Sequence, residues 1–230
     1  MASVTDAITL PEPFASLDRA TLTFGPSPIH ILPNLTKHLA STGKNQIYAK
    51  REDVNSALAY GGNKTRKLEY LLPDALSKGA THLVSIGGIQ SNHTRQVAAV
   101  AAASSLKSKL IHVHWAAWEN QHYADVGNNQ LSGLIGAQRI MDGHDCQIAD
   151  TDEDAPAVKK VLDEIRSAGG LPYWIPAGAS MHPLGGLGFA RWAYEVAQQE
   201  TAVGVFFDTV IVCAVTDCKV YGCKDWVERR

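Results

Sequence analysis

His82-Leu83-Val84-Ser85-Ile86 is a short, almost wholly apolar run that ends in Gly87-Gly88, and Val97, Ala98, Val100, Ala101 and Ala102 follow it after a polar loop. Leu110 to Trp115 is mostly apolar again. A buried strand, a glycine turn, a small-residue helix and a second strand predict a βαβ unit over residues 82–115. No other feature narrows the fold as much, because a parallel strand pair needs a crossover helix and cover on both sheet faces. The alternation continues with a helical stretch near 127–135, a strand from Gln138 to Met141, a helix from Ala155 to Ala168 and a strand from Leu171 to Pro176. The pattern predicts an α/β fold with a doubly wound, mostly parallel sheet.

The chain before this unit is more broken. Residues 1–20 read as a loosely held arm interrupted by Pro11 and Pro13, and Phe24-Gly25-Pro26-Ser27-Pro28 reads as a rigid turn. Ile47 to Ala49 is a short apolar strand. Gly61-Gly62-Asn63 then signals a turn, with Asn63 placed to cap a helix whose apolar face is Leu68, Leu71, Leu72, Ala75 and Leu76. Lys78-Gly79 stops that helix with a cation and a residue that tolerates left-handed backbone.

Charge and cysteine usage bound the partners. In 230 residues, 21 Lys and Arg stand against 23 Asp and Glu, a net charge of −2. That balance offers no electrostatic reason to bind nucleic acid or an anionic membrane. The longest apolar run, Val97 to Ala103, falls far short of the ~20 residues of a membrane helix. The four cysteines, Cys146, Cys213, Cys218 and Cys223, make no disulfide framework, and the first twenty residues carry Asp6 and Glu12 rather than a secretory leader. A cytoplasmic protein acting on a small molecule is expected. The acidic stretch Asp150 to Asp154 reads as a solvated loop leading into the helix near Pro156.

Two glycine-rich loops carry the chemistry. Gly61-Gly62-Asn63-Lys64-Thr65-Arg66-Lys67 is a basic turn opening a helix, and Gly87-Gly88-Ile89-Gln90-Ser91-Asn92-His93 is a strand-to-helix turn. In a doubly wound sheet, ligands lie beyond the carboxyl ends of the strands, where helix N-termini aim N–H groups at an anion. The second loop therefore offers a carboxylate or phosphate cradle, with Ser91 and Asn92 as side-chain donors. Lys64 sits on the turn, and a desolvated lysine beside Arg66 and Lys67 has the lowered pKa that a Schiff-base amine needs. A bland reading stands beside this one. Neither loop matches the dinucleotide or P-loop fingerprint, and a Lys/Arg trio at a helix start is usually a solvated face. His93 reads either as a general base or as a polar residue at a helix start. His112 and His114 share a strand face without a third ligand, and the Cys213, Cys218, Cys223 spacing fits no zinc motif, so no metal is expected.

Longer matches add to these readings. Leu22-Thr23-Phe24-Gly25-Pro26-Ser27-Pro28, Tyr48-Ala49-Lys50-Arg51-Glu52-Asp53, the two loops with Leu68-Glu69-Tyr70 and Thr94-Arg95-Gln96, Ile175-Pro176-Ala177-Gly178, and His182-Pro183-Leu184-Gly185-Gly186-Leu187-Gly188-Phe189 stand in this order. Over residues 18–216 the chain resembles the 1-aminocyclopropane-1-carboxylate deaminase and D-cysteine desulfhydrase family, tryptophan-synthase-β-like (fold type II) enzymes of pyridoxal 5'-phosphate. The resemblance implies two α/β domains, a small one at 68–175 and a discontinuous large one at 1–67 and 176–230. It implies that Lys64 is the catalytic Schiff-base lysine, that Asn92 and Lys67 also contact the cofactor, and that Ser91, Asn92 and His93 bind a small amino-acid substrate, with Ser91 catalytic. Gly185, Gly186 and Gly188 are then structural. The activity implied is a deaminase, classed as a hydrolase, that opens 1-aminocyclopropane-1-carboxylate to 2-oxobutanoate and ammonia, in a homodimer when full length. D-cysteine desulfhydrase is the alternative.

Two stretches depart from the family pattern. Phe207 to Thr216 reads as the strand leading to the cofactor-phosphate loop, but Asp217-Cys218-Lys219 follows where a Gly/Ser/Thr-rich turn belongs. An Asp is electrostatically wrong beside a phosphate. The later family tyrosines do not follow, so the large domain reads as incomplete, and a truncated, inactive member is a further expectation. Ala179-Ser180-Met181 replaces the family's Cys-Ser-Glu, which bears on the choice between deaminase and desulfhydrase.

Overall fold

The computed structural model describes residues 8–39, 45–114, 121–141 and 152–213. Near the start, β1 (Ile29–Ile31) precedes α1 (Pro33–Leu39) and pairs antiparallel with β2 (Tyr48–Lys50). The main unit then runs through α2 (Thr65–Ser77), β3 (His82–Gly88), α3 (Asn92–Ala103), β4 (Lys107–Val113), α4 (Gly127–Leu134), β5 (Gln138–Ile140), α5 (Pro156–Ser167), β6 (Pro172–Ile175) and α6 (Leu187–Val203).

The second sheet is parallel, in the order β5-β4-β3-β6, with Ile86 opposite Ile111 and Leu83 opposite Tyr173. The chain steps outward from β3 to β4 to β5, then returns to the other side of β3 as β6. That reversal places a topological switch point between β3 and β6, and the crevice beyond their carboxyl ends is where such sheets bind ligands.

Alternation along β3 explains why this strand is apolar throughout. Val84 and Ile86 face one side, where with Ile111 and Val113 they meet Val158, Val161, Leu162 and Ile165 of α5. Leu83 faces the other, where Leu110, Tyr173 and Ile175 meet Leu68, Leu71 and Leu72 of α2 and Val97, Ala98 and Ala101 of α3. The alanines of α3 bring that helix close to the sheet, and Ala98 and Ala101 are fully buried. A third cluster, Phe189, Trp192, Ala193 and Val196 of α6, packs against Phe207 and Val210.

Helix α6 reaches α2 through Gly188. A Cβ there would stand 2.2 Å from the carbonyl oxygen of Arg66, so only a residue without a side chain permits the contact. Gly188 is thus a packing residue.

The structure corrects three local expectations. Asn63 does not cap α2: Lys64 holds the cap position, its side chain makes no capping bond, and the turn is closed by the backbone bond from Thr65 N–H to the Gly62 carbonyl (3.1 Å). Leu76 is half exposed rather than part of the apolar face. Thr209 to Cys213 is not a strand. A strand exists only through its ladder, and among the described residues none pairs with this segment: Phe207 and Val210 pack on α6 while Ile211 is 92% exposed. Ala214 to Thr216 and the tail from Asp217, with Cys146, Cys218 and Cys223, lie outside the described residues. So do Trp115, Asp150 and Thr151, whereas Asp152 to Asp154 are exposed. Among the described residues no helix is long and apolar enough to cross a membrane.

Candidate active site

The strand-to-helix loop delivers its polar residues at the carboxyl end of β3, on the switch point. Ser91 has extended backbone (φ −64°, ψ 123°), and its Oγ accepts the N–H groups of His93 (3.2 Å) and Thr94 (3.3 Å), capping α3. A hydroxyl that accepts two bonds still has its own O–H to donate. Ser91 also lines a cleft of about 290 Å³ with Gly88, Ile89, Gln90, Val113, His114 and Tyr123. Asn92 is exposed beside it, and its Oδ1 accepts from Asn128 Nδ2 at 2.9 Å and Arg95 Nη2 at 3.5 Å.

His93, one residue on, turns inward. Ser85 Oγ donates to the Ile175 carbonyl (2.8 Å) and so accepts from His93 Nε2 (3.1 Å), which makes the ring the Nε2–H tautomer and leaves a buried Nδ1 with no hydrogen-bond partner among the described residues. Burial first, then the charges of Lys64 and Lys67, hold the His93 pKa well below the usual imidazole range. A neutral ring behind the loop, away from the open cleft, is the result.

The basic turn is not a solvated face. Arg66 is 2% exposed, and its guanidinium meets Glu52 Oε2 (2.6 Å), Glu195 Oε2 (2.8 Å) and Ser27 Oγ (3.0 Å). Two carboxylates therefore compensate Arg66, which is not the loose cation beside Lys64 that sequence reasoning supposed. Burial pushes the Glu195 carboxyl up, but Arg66 and Lys50 outweigh it and hold it below the usual range. Lys67 is fully buried, donates from Nζ to the Gly178 carbonyl (2.7 Å), and stands 5.9 Å from the Phe189 ring centroid. Lys64 is partly buried on the turn itself.

A set of polar side chains locks the two loops together. Arg95 donates from Nη1 to the Ala59 carbonyl and from Nη2 to that of Gly61 (3.3 Å), and Gln96 Nε2 also donates to the Gly61 carbonyl. Asn55 grips Gly62 from the other side, accepting its N–H at 3.0 Å and donating to its carbonyl at 3.2 Å. Glu69 of α2 accepts from Leu22 N–H, Thr23 N–H and Thr23 Oγ1, which fastens the Leu22–Pro28 motif to the same helix. Most of these residues stand in the motifs named above, but the motifs alone assign them no role. A buried carboxylate or amide looks like a surface one in sequence, and only the fold reveals its backbone partners.

A larger cleft of about 540 Å³ opens on the other side of the turn, lined by Lys50, Glu52, Gly62, Asn63, Trp192 and the 209–213 segment among others. The side-chain nitrogen of Asn63 is buried there, without a partner among the described residues. Among the described residues no group of three His, Cys, Asp or Glu side chains gathers as a metal site. His112 is buried, with Nδ1 3.4 Å from the Gly88 carbonyl.

A partly buried lysine on a glycine turn, bound to a donor loop at the switch point of a doubly wound sheet, defines an α/β small-molecule site. The chain belongs to the pyridoxal-phosphate dependent enzyme family, whose pattern matches residues 20–222. It is 56% identical over 200 residues to 1-aminocyclopropane-1-carboxylate deaminase of Burkholderia vietnamiensis (strain G4 / LMG 22486), covering 86% of this chain and 57% of that protein. The protein of the same name from Burkholderia ambifaria matches to the same extent. The chain thus spans 57% of the length of these curated relatives. Among solved structures, an ACC deaminase homologue superposes with a TM-score of 0.75 at 31% identity, covering 91% of this chain and 58% of that one. A pyridoxal 5'-phosphate-dependent aspartate racemase, at 17% identity and a TM-score of 0.62 over 88% of this chain and 54% of its own, shares the fold alone.

These relatives correct the class expected from the sequence. The relatives are named deaminases, enzymes that cleave a carbon–nitrogen bond, and their family depends on pyridoxal phosphate, which supplies an electron sink. Lyase replaces hydrolase.

The residues present fit that cofactor on two counts. Asn63 Nδ2 is a buried donor with no partner among the described residues, next to Lys64 in a cleft of adequate size, and Asn92, with its carbonyl oxygen already engaged, has only donors left to offer.

Proposed function

We propose that this chain belongs to a pyridoxal-phosphate-dependent deaminase that converts 1-aminocyclopropane-1-carboxylate to 2-oxobutanoate and ammonia. One observation carries the reading: Arg95 and Gln96, next to the Ser91–Asn92 loop, bind the Gly61 carbonyl three residues before Lys64. In this reading that bond ties the turn carrying the amine to the loop carrying the anion donors. The 56% identity to deaminases of that name supports the choice of substrate.

In this reading Lys64 holds the cofactor through its amine and later carries a proton to or from the substrate carbon. The bound cofactor supplies an electron sink. Ser91 O–H and Asn92 Nδ2–H₂ donate to the substrate carboxylate, helped by the positive end of α3. Asn92 also faces the cofactor ring, and Lys67 adds a buried positive charge toward its phosphate. His93 stays neutral and shapes the wall behind Lys64. We also assign residues 68–175 to a small domain, with 1–67 and 176–230 in the large one. A homodimer, a cytoplasmic setting and the absence of a nucleic-acid partner complete the reading, the last supported by the net charge of −2.

Reconstitution with pyridoxal phosphate, reduction with borohydride and peptide mapping test the lysine. Label on Lys64 is expected, and label on any other lysine, or none, refutes the assignment. Release of 2-oxobutanoate from 1-aminocyclopropane-1-carboxylate, compared with sulfide release from D-cysteine, tests the substrate. Faster turnover of D-cysteine would overturn the deaminase reading.

A further inference from the structure

The Asn92 side chain has a fixed orientation, and a residue thirty-six positions away fixes it. Asn128 Nδ2 donates to the backbone carbonyl of Gln90 at 2.8 Å. A carbonyl only accepts, so this bond decides which end of the Asn128 amide faces the loop. The same Nδ2 lies 2.9 Å from Asn92 Oδ1, and Arg95 Nη2, which also only donates, approaches that oxygen at 3.5 Å. Two donors therefore converge on Asn92 Oδ1, and Nδ2–H₂ is what remains for a ligand.

Asn128 is itself held in place. Its backbone N–H donates to Gln90 Oε1 at 2.8 Å, while Gln90 Nε2 donates to the carbonyls of Tyr123 (2.5 Å) and Val126 (2.9 Å). Gln90 thus grips the start of α4 at both ends of its amide. Gly127 permits the grip: its φ of +64° is left-handed, and a Cβ there would stand 2.6 Å from Gln90 Oε1.

We propose that Asn128 is a positioning residue for the anion-binding loop: it holds Asn92 Oδ1 so that the Nδ2–H₂ pair faces the site and selects an anionic oxygen. The identity of that anion as the carboxylate of 1-aminocyclopropane-1-carboxylate rests on the deaminase reading above; the orientation of Asn92 does not.

Two measurements test this. In the ¹⁵N-labelled, cofactor-free chain, the Asn128 Nδ2–H₂ protons should exchange with water more slowly than those of Asn92. In Asn128→Asp, which keeps the shape but has no donor, the Asn92 amide should turn over and its protons become protected. An Asn92 pair already protected in the original chain, or unchanged in Asn128→Asp, overturns the proposal. The second measurement is a double-mutant cycle on the Kd for 1-aminocyclopropane-1-carboxylate in pyridoxal-phosphate-loaded protein. Asn128→Ala should weaken binding about 5- to 10-fold, the size of one ordinary hydrogen bond between neutral groups. In an Asn92→Ala background it should change nothing further. An equal loss in both backgrounds means that Asn128 acts independently of Asn92, and the proposal fails. If the original chain does not bind this amino acid, the deaminase reading falls, and the exchange pattern still decides the orientation of Asn92.

Discussion

Arg66 Nη1 lies 2.8 Å from Glu195 Oε2, across 129 residues of chain, with 2% and 1% of the two side chains exposed. Lys50 reaches the same carboxylate, and Ser27 donates its N–H to Glu195 Oε1 at 2.8 Å. The first turn of α2, which follows Lys64, is therefore fastened through one buried guanidinium to α6 at Glu195, to Glu52 just after β2 and to Ser27 of the Phe24–Pro28 turn. The turn that carries Lys64 is anchored by carboxylates well outside its own motif.

Removing that guanidinium leaves the buried Glu195 with Lys50 alone of its two cation partners and takes the ion-pair partner of Glu52. Arg66→Ala should destabilise the fold by about 3–5 kcal/mol, the usual cost of leaving a buried charge uncompensated. Urea denaturation checks this, and a loss below about 1 kcal/mol would show the cluster to be hydrated.

The helix cap that Ser91 makes is separable from the carboxylate contact proposed for it. Ser91→Ala should cost about 1 kcal/mol of stability through the lost helix cap. It should also raise KM for the amino acid, because the O–H donor goes with it. Ser91→Thr keeps the hydroxyl and should restore stability. An unchanged KM in Ser91→Ala, with stability reduced, would leave Ser91 only its structural duty.

His93 makes stability fall with acid. Its folded pKa lies well below that of the unfolded chain, chiefly through burial. The unfolded state then binds the extra proton, so the contribution is present above the unfolded pKa of about 6.5 and is lost as pH falls from there toward the folded value. Thermal melts between neutral pH and pH 5 should drop less steeply in His93→Gln. Identical slopes in the two proteins would mean that the ring is not buried and neutral.

Gly188→Ala places a methyl 2.2 Å from the Arg66 carbonyl, a backbone atom that cannot swing aside. Helices α2 and α6 must part, at a cost of about 1–3 kcal/mol. Gly186→Ala, next to open space, serves as the control and should be tolerated. Equal melting temperatures for the two variants would contradict the close approach.

The sequence by itself determined the βαβ frame and the loops at its mouth. Strand apolarity, the small-residue face of α3 and the glycine turns are local properties, so the predicted β3, α3, β4, α4, β5, α5 and β6 emerge within a few residues of where they form. Tertiary structure decided where the polar groups go. Lys67, Arg66 and Glu195 look like solvated charges in sequence, and only packing shows that each is buried on a partner from a distant segment. The apolar run at 209–213 reads as a strand, yet a strand needs a neighbour to bond, and among the described residues none pairs with it. Apolar pattern tells which residues must leave water, because that requirement belongs to each side chain alone. A hydrogen bond or ion pair belongs to two groups, and their meeting is set by the fold that brings them together.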